Sequence, residues 1–226
     1  VLPFHFENYA VAARQLRLYF LNSVMISSAS VVGVLIVASL AAFAFARYSF
    51  IGKTVLFYMI ISMLMVPAIL TLVPSFVWIR QLGLYNTHWA LVLPYIAIGQ
   101  VFAIYLLRTF FAGLPQELFD SALVDGAGML QTYYHIALPL CKPVLSIIAV
   151  MNVLSTWNDY IWPLVTLQQD SMRTITIGLR YFQGQFQINY GPLFAGYILG
   201  SLPLLILFLL AMRPFVSGLT SGAIKM

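Results

Sequence analysis

The sequence predicts an all-α membrane protein that crosses the bilayer five times, and two observations carry this prediction. First, 62% of the 226 residues are hydrophobic and 8% are charged, whereas a soluble domain carries roughly 25% charged residues. Second, the charged residues bracket uncharged runs of about 20 residues, the length of helix that crosses roughly 30 Å of hydrocarbon. These runs must be helical, because an open strand edge leaves backbone groups unpaired in lipid. The length suits a single helical bundle.

Each predicted span lies next to charged residues. The five runs are Arg17 to Arg47, Lys53 to Arg80, Arg80 to Arg108, Lys142 to Asp159, and a last run that ends at Met212, before Arg213. The first run is rich in Ser, Gly and Ala, which favours close packing inside the bundle. Pro67 and Pro74 in the second run each remove a backbone donor, which predicts a kink or a break. Gly196 and Gly200 in the last run have the spacing of a helix-packing motif.

The segments outside the spans differ in character. Residues 1–20 are predicted to form an interfacial segment, because Glu7–Phe20 mixes polar and apolar residues as helices at a membrane surface do. Residues 21–215 then hold the transmembrane domain, and residues 216–226 form a C-terminal tail. Gln168–Pro192 is predicted to be a long polar loop. Membrane lipid is therefore an expected partner of the chain.

The composition also excludes several classes of protein. The formal charge of +5 comes from Lys and Arg that flank the spans, as headgroup anchors do, so no nucleic-acid partner is predicted. A single cysteine, Cys141, allows neither an internal disulfide nor a cysteine metal cluster. His5, His88 and His135 lack metal-ligand spacing, and no triad or HExxH arrangement is visible. We therefore predict no catalytic residue, no metal site and no cofactor.

Gly52, Lys53 and Thr54 match the end of a phosphate-binding loop, but Arg47 stands where that motif needs its first glycine. A membrane helix precedes them rather than a strand. We therefore expect a short turn that places Lys53 at the lipid headgroups, and no nucleotide site in this chain.

The most unusual feature is a polar segment, Gln116 to Lys142, with the sequence QELFDSALVDGAGMLQTYYHIALPLCK. Pro115 precedes it, as Pro commonly starts a helix. Glu117–Val124 predicts two turns of amphipathic helix, with Leu118, Phe119, Ala122 and Leu123 as its apolar residues. Gly126 and Gly128 allow a sharp turn. Met129–His135 then predicts a second short helix that ends before Pro139.

Two short helices joined by glycine predict a rigid projection at the membrane face. Its acids are Glu117, Asp120 and Asp125. Such a projection can dock into a groove on a soluble partner, where the acids would meet Arg or Lys. The alternative is a re-entrant or interfacial helix that only braces the bundle. The residues alone leave both open.

A second candidate site is Thr156-Trp157-Asn158-Asp159. Ionisable residues within spans are rare and usually face a cavity or a partner, so Trp157, Asn158 and Asp159 are candidates for the lining of a transport pathway. However, Asp159 lies about 25 Å along a helix from Lys142, near the far surface. A capped or solvated helix end, with Pro163 close behind, is the alternative.

The polar segment resembles the EAA motif of permease subunits of bacterial ABC importers. That motif reads Glu-Ala-Ala, three residues, Gly, nine residues, Ile, one residue, Leu-Pro. This chain has Asp120-Ser121-Ala122, then Gly126, Ile136 and Leu138-Pro139 at the same spacing. The departures are Asp120 for Glu and Ser121 for Ala.

More of the chain is similar to the carbohydrate branch of these permeases, the maltose-type second permease. The matching pieces are Phe20-Leu21-Asn22-Ser23, Trp157-Asn158-Asp159, Pro163-Leu164 and the run from Gly218 to Lys225. The family usually has six spans and ends in Lys-Gly, whereas this chain shows five and ends Lys225-Met226. We expect that the first span is missing, in agreement with a start at Val1.

The resemblance implies a type I ABC importer transmembrane domain with cytoplasmic coupling helices. The EAA loop, at about residues 115–139, would face the cytoplasm and seat a short helix in a cleft on the ATPase subunit. The residues implied in this coupling are Glu117, Asp120, Ser121, Ala122, Asp125, Gly126 and Ala127. Residues 1–20 and the loop Gln168–Pro192 would then be extracytoplasmic, and residues 216–226 cytoplasmic.

The implied partners are an ATPase subunit dimer, a homologous second permease subunit and an extracytoplasmic solute-binding protein. ATP hydrolysis would occur on the separate ATPase subunits, so this chain would be a multi-pass transport subunit of the bacterial inner membrane and not an enzyme. The expected function is ATP-driven import of a sugar or related polar solute by alternating access. The alternatives are import of amino acids, peptides or glycerol phosphate on the same scaffold and, remotely, an ATP-independent channel or assembly factor.

Overall fold

The computed structural model describes residues 5–183 and 188–223, with the side chains up to residue 210. Within these ranges the chain is helical and contains no strand, and Gln183 and Ile188 form an isolated antiparallel bridge. Three helices here are long and apolar enough to cross a membrane, and two bent helix pairs raise that number to as many as five. The predicted all-α class is confirmed.

The α-helices are α1 (Glu7–Arg47), α2 (Lys53–Ser62), α3 (Ala68–Gln81), α4 (Trp89–Ala112), α5 (Glu117–Val124), α6 (Met129–Thr132), α7 (Leu138–Leu140), α8 (Lys142–Asn158), α9 (Ile161–Thr166), α10 (Ile175–Gly178) and α11 (Tyr190–Ala223). Three short 3₁₀ segments cover Met63–Met65, Asp170–Met172 and Leu179–Phe182, and a π-helical segment covers Tyr133–Ala137. The predicted spans correspond to α1, the α2–α3 pair, α4, α8 and α11.

Helix α1 is longer than its predicted span. It has 41 residues and is therefore about 60 Å long, twice the thickness of the hydrocarbon. Glu7–Phe20 is helical as predicted, but it is the first part of α1 rather than a separate element. The interfacial position of residues 1–20 stays a prediction, and residues 1–4 lie outside the described part of the chain.

The second predicted span is broken at Pro67. Helices α2 and α3 meet at an angle of 105°. Val66 has extended backbone angles, because proline pushes the preceding residue out of the helical region. Pro74 lies inside α3 without ending it. The predicted break is confirmed at the first proline only, and the second is absorbed within a helix.

The later helices agree with the predicted charge boundaries at some ends and exceed them at others. Helix α8 begins at Lys142 and ends at Asn158, as predicted. Helix α4 continues past Arg108 to Ala112, and α11 continues past Met212 to Ala223. The tail predicted for residues 216–226 is therefore helical as far as it is described, and the side chains of the Gly218–Lys225 motif lie outside the described residues.

The chain separates into two compact units, each assembled from three stretches of sequence. Unit 1 comprises Val1–Ser30, Ile69–Tyr95 and Asn152–Leu209, and unit 2 comprises Val31–Ala68, Ile96–Met151 and Leu210–Met226. The core of unit 1 contains Ala12, Leu16, Tyr19, Trp157, Ile175, Leu179, Phe182, Leu193 and Ala195. The core of unit 2 is built around Phe43 of α1 together with side chains of α2, α4, α8 and the loop between α4 and α8.

The loop predicted over Gln168–Pro192 is folded rather than irregular. It contains two 3₁₀ turns, α10 and the bridge described above, and residues 184–187 lie outside the described part of the chain. The sequence does not show this order because each element is only three or four residues long. Such short elements have no measurable periodicity.

Two polar side chains of α1 hold this loop in unit 1. Asn22 donates from Nδ2 to the carbonyl oxygens of Ser171 at 2.8 Å and Arg173 at 2.9 Å. The buried Ser23 accepts a 2.9 Å hydrogen bond at Oγ from the backbone N–H of Ile175. Both side chains pair with backbone groups of the loop, and the bond of Ser23 is buried. The Phe20-Leu21-Asn22-Ser23 sequence therefore docks this loop.

A close approach completes the docking. Gly178 of α10 lies against the ring of Tyr19, and a Cβ atom at this position would overlap that ring. The Tyr19 hydroxyl donates a 2.6 Å hydrogen bond to Asp170, which also pairs with Arg173. The glycine is needed here for space, and the loop is fastened to α1 from Asp170 to Gly178.

Replacing Ser23 with Ala is expected to lower the free energy of unfolding by about 1–3 kcal/mol, because the buried N–H of Ile175 loses its acceptor. The matched control is Ser28→Ala on the same helix, at an exposed position whose side chain makes no hydrogen bond in the described structure. Thermal unfolding of the purified protein in detergent compares the two. Equal stability of the two variants contradicts the docking role of Ser23.

Candidate functional site

The loop between α4 and α8, residues 115–139, is a compact helical hairpin. The predicted helix over Glu117–Val124 is present as α5. It ends in a turn in which Gly126 has a φ of +75° and the N–H of Ala127 donates to the carbonyl of Ala122 at 2.8 Å. Only Gly126 needs glycine for its conformation, because Gly128 has an ordinary φ of −72°.

The second half of loop 115–139 differs from its prediction. The helix that starts at Met129 does not end before Pro139; it continues through the π-helical segment and α7 to Leu140. Pro139 lies in the first turn of α7, directly after the π-helical segment. π-Helical turns are rare in proteins, and those that occur are frequently found at functional sites.

The inner side of the loop packs on Phe43 of α1. The Phe43 ring is 3% exposed, and its centroid lies 6.4 Å from that of Phe119 and 5.4 Å from that of Tyr133. Phe111 at the end of α4 lies 5.6 Å away on an edge-to-face approach. The edge-to-face approach of Phe111 is one of the favoured aromatic geometries. The loop is therefore seated on the end of α1 by both of its helical halves.

A hydrogen bond about one turn before Phe43 on α1 supports the same seat. The Oγ of Ser39 lies 2.6 Å from the Tyr133 hydroxyl, and either group can donate. Both side chains are buried. Because this bond is satisfied away from water, it fixes the rotation of the π-helical segment about its axis. The inner face of loop 115–139 is therefore held against α1 by ring packing and by this hydrogen bond.

The outer face of loop 115–139 is exposed and is not held against α1 in this way. Glu117, Asp120 and Asp125 are exposed, and within the described residues none of them forms an ion pair. Leu123 and Val124 beside them are 74% and 87% exposed. The apolar set predicted for α5 is thereby divided: Phe119 and Ala122 face the bundle, whereas Leu118 and Leu123 face outward.

Residues of the turn and of the second helical half form an open groove of about 360 Å³. It is lined by Asp125, Gly126, Ala127, Gln131, Thr132, His135 and Ile136. Three of the predicted coupling residues, at 125–127, are brought together there. Gln131 and His135 were not predicted, although their i, i+4 spacing is the signal that puts both on one side of a helix.

The second candidate site, Trp157 to Asp159, makes mainly structural contacts. Trp157 is 4% exposed, and its indole N–H donates to the carbonyl of Gly200 at 3.1 Å. Its ring meets that of Phe20 edge to face at 5.8 Å. Asn158 is exposed and its amide returns to its own helix.

Asp159 lies directly after α8 and bonds to the first turn of α9. Its Oδ2 accepts from the Tyr95 hydroxyl at 2.9 Å and its Oδ1 accepts from the N–H of Trp162 at 3.3 Å. Its backbone carbonyl accepts from Thr176 at 2.8 Å. Of the two alternatives for this position, the helix end is supported by the Trp162 contact, while the Tyr95 contact joins the carboxylate to α4. A pathway role for residues 157–159 stays a prediction.

The fold defines a class: a helical membrane protein with several helices that can cross the bilayer. The match to a family model is specific. Residues 34–221 match the binding-protein-dependent transport system inner membrane component family, and the chain belongs to that family. As members of this family are transport subunits, the chain is not itself an enzyme.

Several named relatives cover almost the whole chain. The arabinooligosaccharides transport system permease protein AraQ of Halalkalibacterium halodurans is 37% identical over 92% of this chain and 74% of its own length. The trehalose/maltose transport system permease protein MalG of Thermococcus litoralis is 33% identical over 92% and 75%. The diacetylchitobiose uptake system permease protein NgcG of Streptomyces coelicolor is 30% identical over 99% and 76%.

A solved structure confirms the fold. A crystal structure of a bacterial ABC transporter involved in the import of the acidic polysaccharide alginate contains a chain that matches with a TM-score of 0.83. The match covers 94% of this chain and 80% of that chain at 21% sequence identity. The predicted ABC importer transmembrane fold is therefore confirmed.

Gly126 and Gly128 provide a matched test of the turn. Gly126→Ala is expected to cost about 1–2 kcal/mol, because an L side chain is strained at positive φ, and Gly126→Val more. Gly128→Ala should be close to neutral, since its Cβ would be 3.8 Å from the nearest atom. Thermal unfolding and solute uptake by membrane vesicles are the measurements. Normal uptake in Gly126→Val, with insertion intact, contradicts a role for the turn.

Asp159 variants separate a helix cap from a pathway residue. Asp159→Asn retains an acceptor for Trp162 and a partner for Tyr95, so stability and uptake should both stay near wild type. Asp159→Ala leaves the buried Tyr95 hydroxyl unpaired and should lose about 1–3 kcal/mol of stability. Detergent unfolding and vesicle uptake report the two properties separately. Wild-type stability combined with lost uptake in Asp159→Asn contradicts the cap assignment.

Proposed function

We propose that the chain is a permease subunit of an ATP-driven importer that takes up a sugar or related polar solute. The observation that carries this proposal is the combination of the family match with relatives named for arabinooligosaccharides, trehalose/maltose and diacetylchitobiose. These relatives are 30% to 37% identical and cover at least 92% of the chain. The chain would work with ATPase subunits, a second permease and a solute-binding protein.

Loop 115–139 is the proposed docking element for the ATPase subunit. Its outer face joins acids that form no ion pair among the described residues to exposed apolar side chains, the composition of a surface that is incomplete without a partner. The residues proposed to make this contact are Glu117, Asp120, Ser121, Asp125, Gly126 and Ala127, with Gln131 and His135 added from the groove. Ala122 is buried under them and acts by letting α5 lie close to the bundle.

The physical basis of coupling is stiffness. The inner face of the loop is held by the rings of Phe119 and Tyr133, which pack on Phe43, and by the Ser39–Tyr133 hydrogen bond. A displacement of the outer face by closing ATPase subunits would therefore move the end of α1 as well. Packed aromatic interfaces behave as bistable rather than continuously deformable bodies. The loop would lie on the cytoplasmic side, and the folded segment Gln168–Pro192 on the opposite side, towards the binding protein.

Charge reversal on α5 tests this docking. Glu117→Lys and Asp120→Lys are expected to weaken retention of the ATPase subunits on the purified permease, and the loss should grow at low salt, where charge repulsion is least screened. Glu7→Lys is the matched control, since Glu7 is also an exposed acid in the first turn of a helix. Co-purification at several salt concentrations is measured together with ATP-dependent uptake of a labelled oligosaccharide by vesicles.

The control and the reversed variants should be inserted in the membrane equally well. Equal ATPase retention by all three variants contradicts docking through α5. Uptake that continues without ATP contradicts the importer function itself and favours a channel.

A further inference from the structure

We propose that Arg47 is the positioning residue that ties the end of α1 to the coupling loop 115–139, so that movement of that loop is delivered to α1. This inference rests on the proposed function, because it concerns how ATPase closure reaches the spans. The sequence suggested only a headgroup anchor for an Arg at a span end. The contacts of its guanidinium show a different use.

The guanidinium of Arg47 donates hydrogen bonds to three residues of unit 2 between the end of α4 and the start of α5. One terminal nitrogen donates to the carbonyls of Phe111 and of Leu114, the latter at 2.8 Å. The other donates to Oε1 of Gln116 at 2.8 Å. The first acceptor, Phe111, is in the last turn of α4, where carbonyls have no i+4 partner, and the second, Leu114, lies two residues beyond that helix. The third acceptor lies immediately before α5.

The flat face of the same guanidinium lies over the ring of Phe119, with its carbon 3.8 Å from the ring centroid. Phe119 is a residue of α5 and also touches Phe43. The Nε of Arg47 is buried and has no acceptor among the described residues, so the group is held by its terminal nitrogens and by the ring. Arg47 therefore holds α4 and α5 to α1 at one point.

Gln116 links Arg47 to Asp120, the first residue of the segment that resembles the EAA motif. Its Oε1 accepts from Arg47, and its Nε2 donates to Oδ1 of Asp120 at 3.0 Å. Asp120 is the position at which this chain departs from the usual Glu. The amide thus orients the carboxylate on the outer face of α5 from the end of α1. Both bonds are solvent-exposed, so their value lies in orientation more than in stability.

The geometry requires arginine and not only a positive charge. A guanidinium offers a planar set of donors that can bind two carbonyls and an amide while stacking on a ring. A lysine ammonium is a point charge on a flexible stem and cannot do these together. A headgroup anchor, in contrast, works with either residue, because it only needs a charge near the phosphates. The two roles are distinguished by Arg→Lys.

The chain offers a matched control. Arg80 also lies in the last turn of a helix and also faces aromatic rings, those of Phe76 at 5.9 Å and Tyr85 at 5.4 Å. In the described structure its side chain makes no hydrogen bond, so it stacks without tying segments together. Arg80→Lys and Arg80→Met reproduce the chemical changes made at Arg47 without its three acceptors.

The experiment uses the complete importer, with its ATPase subunits and binding protein, in proteoliposomes. Solute uptake and ATP hydrolysis are measured in the same sample, and their ratio is compared between variants. Arg47→Lys and Arg47→Met are expected to lower uptake per ATP by at least about fivefold, the lower end of common coupling strengths between sites, while ATPase subunits remain bound. Arg80→Lys and Arg80→Met should keep the wild-type ratio.

The outcomes separate this inference from the proposed function. A wild-type ratio in Arg47→Lys and Arg47→Met, with ATP-driven uptake intact, overturns the role of Arg47 and leaves the importer function standing. Uptake by the wild-type complex without ATP overturns the proposed function instead. If Arg47→Met is not inserted, Phe119→Leu decides: loss of the ring face should lower the ratio at least about twofold on the same scale of coupling, and an unchanged ratio overturns the inference.

Discussion

The packing of Phe43 at the end of α1 is the contact on which the organisation of unit 2 depends. Four rings from separate parts of the sequence meet it: Tyr48, Phe111, Phe119 and Tyr133, with centroids 5.4 to 6.4 Å away. Between helices in lipid, apolar surface alone gives little driving force, because the surrounding chains are equally apolar. Close packing and satisfied polar groups must supply the stability. The rings provide the first, and the Ser39–Tyr133 and Arg47 hydrogen bonds provide the second.

This constraint divides loop 115–139 into two faces with different chemistry. The large rings of the loop that face α1 have partners there, whereas its acids are exposed and form no ion pair among the described residues, and the side chains of Leu123 and Val124 are exposed beside them. A loop that served only to brace the bundle would have no use for such an outer face. The division therefore favours docking over the bracing alternative that the sequence left open. It also locates the stiffness that a mechanical coupling element needs directly under its contact surface.

The parts of this fold that depend on local patterns could be predicted from the sequence, and the parts that depend on tertiary contacts could not. The length of apolar runs predicted α8, the glycine at 126 predicted the turn, and the proline at 67 predicted the break. The pattern gave no sign that Pro139 would be accommodated after a π-helical segment or that the loop after α9 would be folded by Asn22 and Ser23. Trp157 and Asp159 were assigned as pathway candidates because polarity in a span was visible, while their partners Gly200 and Tyr95 are 43 and 64 residues away. Arg47 had the same limitation, since two of its three acceptors are backbone carbonyls that carry no sequence signal and the third, the side chain of Gln116, is 69 residues away.

The central claim is that loop 115–139 and the end of α1 move as one body when ATP drives transport. Spin labels at Ile51, just beyond α1, and at Val124, at the end of α5, are both at highly exposed positions of unit 2, and the buried Cys141 is replaced by Ala so that labelling is specific. Pulsed electron paramagnetic resonance then gives their separation in the complete importer, without nucleotide and with ATP under conditions in which the ATPase dimer closes. The account predicts one distance distribution in both states, because Arg47 and the rings packed on Phe43 hold loop 115–139 to the end of α1. A shift of several ångströms on ATP binding would show that the loop moves independently of α1 and would contradict the account.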